Sequence, residues 1–336
     1  MAFAAHAETE AAGRPPAWMP HTGKGCGSVI ARWLLCLWVA LLLASPEQRP
    51  DSARQVGLAR AAVSQRAQSS TSKGEPTMPE QKSIGVRAYL IHITHYDPVW
   101  FDRKDRERPF DLSVGTDVVR ALGKAGFNML IVDLADGVEY RSFPELKRHY
   151  SVPWSVVQQL IASAREAGLE VVPKLNFSKS PDPRYDHNCW FRPYNELPDN
   201  DAYWARAFQL IDEVIGEVKP KRYFFIGMDE DFLRTPAQYV AAVSALHDGL
   251  TKRGLRPVMW NDTAHLSAGM FGCIEKTLAA EEEAPGDIVH VLWDYTPLDP
   301  QAAGRVRDMR SKGLEVWIAP GRRPDEVEQW KQLALQ

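Results

Sequence analysis

The sequence predicts an α/β fold, a TIM-type (β/α) barrel with seven strands visible. Three observations lead there: a recurring helix–Gly–strand phrase, short strands that are apolar throughout, and polar residues gathered where those strands end. The phrase occurs as KAGFNMLIVD (124–133), EAGLEVVPKL (166–175), KRGLRPVMWND (252–262) and SKGLEVWIAP (311–320). Glycine suits the left-handed position that closes a helix. Continuous apolar runs without alternation suit strands covered on both faces, as in parallel sheets. Gly126 and Gly168 lie 42 residues apart, and Gly168 and Gly254 lie 86 apart, about two such units. That spacing is the rhythm of βα repeats.

The elements follow in order from the N-terminus. Arg32 precedes the apolar run Trp33–Ala44, which Ser45-Pro46 ends. Twelve residues are too short for a bilayer span and suit the core of an export signal. Residues 1–45 therefore read as a signal peptide with a long leading region holding Arg14, Lys24 and Arg32, as a start codon assigned too far upstream would give. The expected location is secreted or periplasmic, or membrane-anchored if the run is not cleaved. Cys36 sits inside the apolar run, which argues against a lipoprotein. Residues 46–83 are polar, rich in Pro, Ser and Gln, and read as a disordered linker.

The barrel domain is expected over 84–336, with strands near 86–93, 128–133, 170–175, 222–228, 257–261, 287–293 and 314–319. Thr235-Pro236-Ala237-Gln238 has the form of a capping box with Pro at the first helical position, so a helix starts there. Residues 229–234 then become a strand-to-helix loop, the kind that builds active sites in barrels. A closed eight-stranded barrel needs one more strand after the helix at 325–335, and the sequence ends at Gln336. The expectation is a chain truncated before that strand, with a seven-stranded barrel as the alternative.

Composition excludes some partners. A formal net charge of −3 offers no basic field for nucleic acid and no polybasic membrane patch. Eleven tryptophans are many for 336 residues; their flat faces suit core packing and sugar rings alike. Outside the signal region only Cys189 and Cys273 remain, without zinc-site spacing, and their pairing is open. The oligomeric state is open too.

Chemistry-bearing residues collect at the strand ends. Strand one leads to His92, His95, Asp97 and Trp100, and strand two to Asp133 and Asp136. Strand three leads to Lys174 and Asn176, and strand four to Asp229, Glu230 and Asp231. Strand five ends Trp260-Asn261-Asp262 and strand six Trp293-Asp294-Tyr295. An Asp at a strand end can simply brace a loop or cap a helix. Carboxylates and indoles converging on one mouth also suit glycoside cleavage, in which an acid protonates the leaving oxygen beside a cationic sugar. Three acids in a row repel, which favours a raised pKa for one of them.

The run YFFIGMDEDF (223–232) resembles the catalytic segment of glycoside hydrolase family 20, the β-hexosaminidases, where strand four ends in Gly-x-Asp-Glu. The resemblance implies a carbohydrate substrate and a substrate-assisted mechanism with no cofactor. Glu230 would be the general acid, and Asp229 would orient the substrate's acetamido group. VMWND (258–262) and VLWDY (291–295) are similar to the strand-five and strand-six segments, and Arg87 takes the place of a sugar-binding Arg. His92, His95, Asp97, Asp133, Asn176, His187, Trp190, Trp260, Asp262, Trp293 and Asp294 are the further substrate contacts expected at the mouth. The chain departs from the family at Pro173-Lys174, where Pro-Glu is usual. It also lacks the later acetamide-binding Tyr in VWIAP (316–320) and the Trp of strand eight. These gaps bear on N-acetyl specificity more than on glycosidase chemistry.

The connection 177–201 is long and aromatic, and carries His187 and Trp190. It reads as a substrate wall or as a plug in the barrel mouth. His95-Tyr96-Asp97-Pro98-Val99-Trp100 resembles the zinc motif of family 38 α-mannosidases. That gives the alternative of a zinc glycosidase with His95 and Asp97 as ligands, although no second His and Asp pair follows. A catalytically silent sugar-binding barrel is the non-enzyme alternative.

Overall fold

The computed structural model describes residues 84–94, 104–180, 191, 194, 199–264, 271–295, 297–321 and 323–336. The expected export signal and linker lie outside them, as do His95, Asp97, His187, Cys189 and Trp190.

Among the described residues seven strands alternate with seven α-helices: β1 (Ala88–His92), α1 (Leu112–Lys124), β2 (Met129–Asp133), α2 (Trp154–Glu166), β3 (Glu170–Lys174), α3 (Asp201–Val218), β4 (Tyr223–Gly227), α4 (Pro236–Thr251), β5 (Arg256–Asn261), α5 (Phe271–Glu283), β6 (Val289–Trp293), α6 (Pro300–Ser311), β7 (Glu315–Ala319) and α7 (Pro324–Ala334). All pairings are parallel and the strand order is sequential, β1 to β7. Each expected strand is present within two residues of its expected ends. The four glycines of the repeated phrase, Gly126, Gly168, Gly254 and Gly313, have φ between +72° and +83°, the left-handed geometry that lets a helix stop and a strand begin.

The helices start where their caps say. Asp111 accepts from the amides of Ser113 and Val114, Asn200 from Tyr203, and Asp299 from Gln301. Thr235 and Gln238 form the expected reciprocal box ahead of Pro236. Such caps are each worth about 1 kcal/mol.

Alternation along each strand sorts side chains into two layers. Tyr223, Phe225, Met129, Ile131, Val172, Val258, Val289 and Val291 fill the inner face of the sheet. Leu130, Val132, Val171, Phe224, Ile226 and Met259 face the helices and join the main core with Leu160, Leu210, Val214, Val243 and Leu246. The sheet is curled. Tyr223 on β4 meets Trp317 on β7 edge to face at 5.3 Å. In a flat sheet strands three places apart would sit roughly 14 Å away. Every residue of β4 is buried, while every residue of β7 is only partly so. Among the described residues β1 and β7 are the sheet's two edges. Among the described residues the arrangement is that of a TIM-type barrel with seven of its strands.

The sheet is irregular where β4 ends. Phe225 pairs with Val258, but Gly227 pairs with Met259, so the register shifts at Ile226. Such bulges re-aim the side chains that follow. Gly227 has φ +73°, and a Cβ there would lie 2.3 Å from Asn176 Oδ1 and 2.6 Å from Asn176 Cα. Both the conformation and the space demand glycine. Gly227→Ala is therefore expected to lower unfolding free energy by about 2–4 kcal/mol, read from the midpoint of chemical denaturation.

Candidate active site

The expected mouth lies at the C-terminal ends of the strands, and its centre is the turn that leaves β4. Gly227, Met228 and Glu230 all take left-handed backbone angles, φ +73°, +73° and +51°. For the two residues with side chains this costs of order 1–3 kcal/mol each and persists only when neighbours hold it. Three neighbouring elements do. Asn176, just past β3, accepts the Met228 amide at 3.0 Å and donates to Asp229 Oδ1 at 2.7 Å. Tyr239 on α4 donates its hydroxyl to the Met228 carbonyl at 2.8 Å. Asp262, just past β5, accepts the Glu230 amide at 3.0 Å. The result presents Asp229 and Glu230 partly exposed on top of a fully buried strand.

The third acid of the run has another role. Asp231 is buried and accepts from Arg234 Nη1 at 2.6 Å and from the amides of Lys179 and Arg234 at 3.0 and 2.9 Å. Arg234 also holds Asp199 through two hydrogen bonds of 2.6 and 3.0 Å, and Lys179 reaches Asp199 at 2.9 Å. This buried ionic network ties together the segments that follow β3, precede α3 and follow β4.

Asn176 and Asn261 end β3 and β5 in the same way. Each side-chain oxygen accepts both the amide and the hydroxyl of the residue two positions on, Ser178 and Thr263. Asn261 Nδ2 donates to Glu281 on α5 at 2.8 Å. The turn after β5 points its middle residue, Asp262, back toward β4. There Asp262 Oδ1 accepts the Trp293 indole Nε1–H at 2.9 Å. Trp260, on the inner face of β5, packs its ring 4.7 Å from Phe225.

On the other side of the mouth, His92, Asp133 and Lys174 occupy one register row across β1, β2 and β3. Asp133 is fully buried; it accepts from Lys174 Nζ and lies 3.3 Å from His92 Nδ1. Burial pushes its carboxyl up, but the Lys174 ammonium and His92 outweigh that and hold it at about 2. Lys174 was noted as a departure from the family pattern, and its place is explained by this row: it is the counter-ion for Asp133.

The remaining expected contacts are distributed as follows. Arg87 precedes β1 and so sits at the opposite end of the strands. Its guanidinium donates to the carbonyls of Gly126 and Ile84, both at 2.6 Å, which corrects its reading as a sugar contact. Asp294 is buried, and its amide donates to Ala319 O at 3.4 Å. Asp136 is a loop brace, accepting from the Tyr150 hydroxyl at 2.7 Å. Of the long aromatic connection, Phe191 and Tyr194 are described, and both pack with Phe143. Phe191 also meets Phe177 and Tyr203, as a plug would. Missed from the sequence was Tyr239, while Tyr295 was placed at the end of strand six. Tyr239 carries no local signal, being placed by α4. Tyr295 is half exposed, with its ring 5.3 Å from Trp293.

Several solved structures share this fold. The chain is similar to the family 20 β-N-acetylhexosaminidase of Streptomyces coelicolor A3(2), at 14% identity over 70% of this chain and 48% of that one, with a TM-score of 0.52. The fold is that of a family 20 glycoside hydrolase catalytic domain. A mutant Streptomyces plicatus β-hexosaminidase in complex with GlcNAc gives 15% identity, the same coverages and a TM-score of 0.51. Flavobacterium johnsoniae chitobiase gives 15% identity over 70% of this chain and 38% of that one, with a TM-score of 0.50. The chain spans about half the length of these proteins or less, and at such identities the likeness is one of fold. No family model matches the chain, and no curated protein matches it.

Two outcomes test the electrostatics. Lys174→Met leaves Asp133 buried without its ammonium and is expected to cost about 3–5 kcal/mol of stability. Asp133→Asn in the same chain is expected to restore part of that loss in urea denaturation. For Asp262, burial and the neighbouring Asp229 charge push the carboxyl up to about 8, against the hydrogen bonds from Glu230 and Trp293. Between its unfolded value near 4 and 8 the folded chain keeps a proton that the unfolded chain has released. Stability from this group therefore falls as pH rises through that window. Asp262→Asn is expected to flatten the decline in melting temperature between pH 4 and 8 relative to the parent chain.

Proposed function

We propose that the chain is a glycoside hydrolase that removes a terminal β-N-acetylhexosamine, with Glu230 as general acid and Asp229 orienting the substrate's acetamido group. The observation that carries this reading is the division of labour among the three acids after β4. Asp231 is buried and neutralised by Arg234, whereas Asp229 and Glu230 are lifted together to the accessible end of the sheet. In the barrel fold that end hosts the chemistry.

The steps balance without any added group. The Glu230 carboxyl gives its proton to the glycosidic oxygen as the C1–O bond breaks. The substrate's acetamido oxygen forms a bond to C1, and Asp229 takes the developing positive charge on the acetamido N–H. Water then opens the cyclic intermediate, passing its proton to Glu230. Asn176 fixes Asp229 from one side at 2.7 Å, which favours a single carboxylate orientation. Substrate-assisted routes of this kind need no second protein nucleophile.

Aryl glycosides with good and poor leaving groups test the reading. Glu230→Gln is expected to lower turnover of poor leaving groups by about 10²–10⁴-fold, with less effect on activated ones. The same screen run with a chelator separates the zinc-glycosidase alternative. Activity is expected to be indifferent to chelation; loss on chelation, restored by zinc, would move the assignment to His95 and Asp97. Binding of oligosaccharides without cleavage of any substrate would leave the silent-barrel reading.

A further inference from the structure

The side chain of Trp293 does something unusual for a sugar-facing indole. It is 9% exposed, packed with Cys273 and against Trp260, Ile274 and Ala319. Little of its face is left for a ligand, yet its one polar atom is aimed. Nε1–H donates to Asp262 Oδ1, and the other oxygen of that carboxyl accepts the backbone amide of Glu230. The two contacts are 2.9 and 3.0 Å, and both groups they join are buried or partly so. Glu230 also needs a restraint, since its φ of +51° is one an L-residue rarely keeps unaided.

We infer that Asp262, fixed by Trp293, is a positioning residue for Glu230: a β6–β5–β4 relay that sets the height and direction of the acid above its strand. This rests on the reading of Glu230 as general acid and goes beyond it. Asp262 acts through the Glu230 backbone, and Trp293 acts through Asp262. The relay needs an acceptor at position 262 with two oxygens and an N–H donor at 293. The apolar face of the indole is needed only for packing. Protonation of Asp262 leaves both contacts possible, since a neutral carboxyl still accepts at each oxygen.

The relay makes a kinetic forecast that simple pocket lining does not. Loss of positioning leaves substrate affinity largely intact but degrades proton transfer, and a misplacement of about 1 Å can cost on the order of 10²-fold. Trp293→Phe keeps the aromatic packing and removes the donor. Asp262→Ala removes both acceptors, and Asp262→Asn keeps one. All three would be measured on aryl glycosides beside Glu230→Gln, with melting temperatures to confirm folding.

The expected result is a fall in kcat of about 10–100-fold for poor leaving groups in Trp293→Phe and Asp262→Ala, with KM nearly unchanged. Asp262→Asn should fall between Asp262→Ala and the parent. Trp293→Phe added to Asp262→Ala should cost little more than Asp262→Ala alone, because one acts through the other. Amide hydrogen exchange at Glu230 should quicken at least 10-fold in Asp262→Ala, a readout that does not depend on activity. The inference is overturned if the folded variants lose activity through KM alone, equally for all leaving groups, or additively. It is also overturned if exchange at Glu230 is unchanged in Asp262→Ala. Full activity of Glu230→Gln on poor leaving groups would remove the acid assignment itself, and this relay with it.

Discussion

Everything at the mouth depends on keeping the backbone from Gly227 to Glu230 in a conformation it would not choose. Glycine removes the penalty at the first position only. Met228 and Glu230 must be held, and the holding groups come from β3, α4 and β5. That distribution couples the local turn to the whole sheet. The parallel register fixes where Asn176 and Asp262 emerge, and the curl of the strands brings them in from either side of β4. A turn held from three elements is a rigid platform, which a site needs more than it needs any single strong contact.

The two halves of the mouth use charge in opposite senses. On the β1–β3 side Asp133 is kept ionised by a lysine from the next strand. On the β4–β6 side Asp262 is kept neutral up to about 8 by burial beside Asp229, with the N–H groups of Glu230 and Trp293 to steady it. A counter-ion there would have drawn charge away from the accessible pair. The sheet thus separates a carboxylate that is used for cohesion from a carboxyl that shares space with the candidate chemistry.

Much of this was legible in the residues. The helix–Gly–strand phrase located four of the strands, because glycine is the residue that accepts the turn between them. Where that signal was silent, after α3, the structure shows why: Lys219 takes the left-handed position itself, at φ +49°. The run Met228-Asp229-Glu230 told where acids lie, but not that two ordinary residues there are left-handed, since that is imposed from β3, α4 and β5. Arg87 was misplaced for a simple reason. It stands one residue before the strand begins, so it belongs to the far end, where nearby carbonyls take up its donors. Lys174 looked like a lapse from a family pattern until the register set it beside Asp133, a pairing between residues 41 apart in the chain.

The matched asparagine turns after β3 and β5 carry a consequence for biosynthesis. Asn176-Phe177-Ser178 and Asn261-Asp262-Thr263 both have the Asn-x-Ser/Thr form of a glycan acceptor. Both amides are buried, at 2% and 0% exposure, and their nitrogens are committed to Asp229 and Glu281. A sugar attached to either nitrogen would replace one of its two hydrogens and would find no room beneath the strand ends. Once folded, the chain is closed to such modification at both sites. In a host that glycosylates exported chains, attachment and sheet formation would compete for the same two side chains, and a chain modified first at Asn176 would lose the close packing of that residue against the turn at Met228. The route of expression thereby bears directly on whether this platform forms.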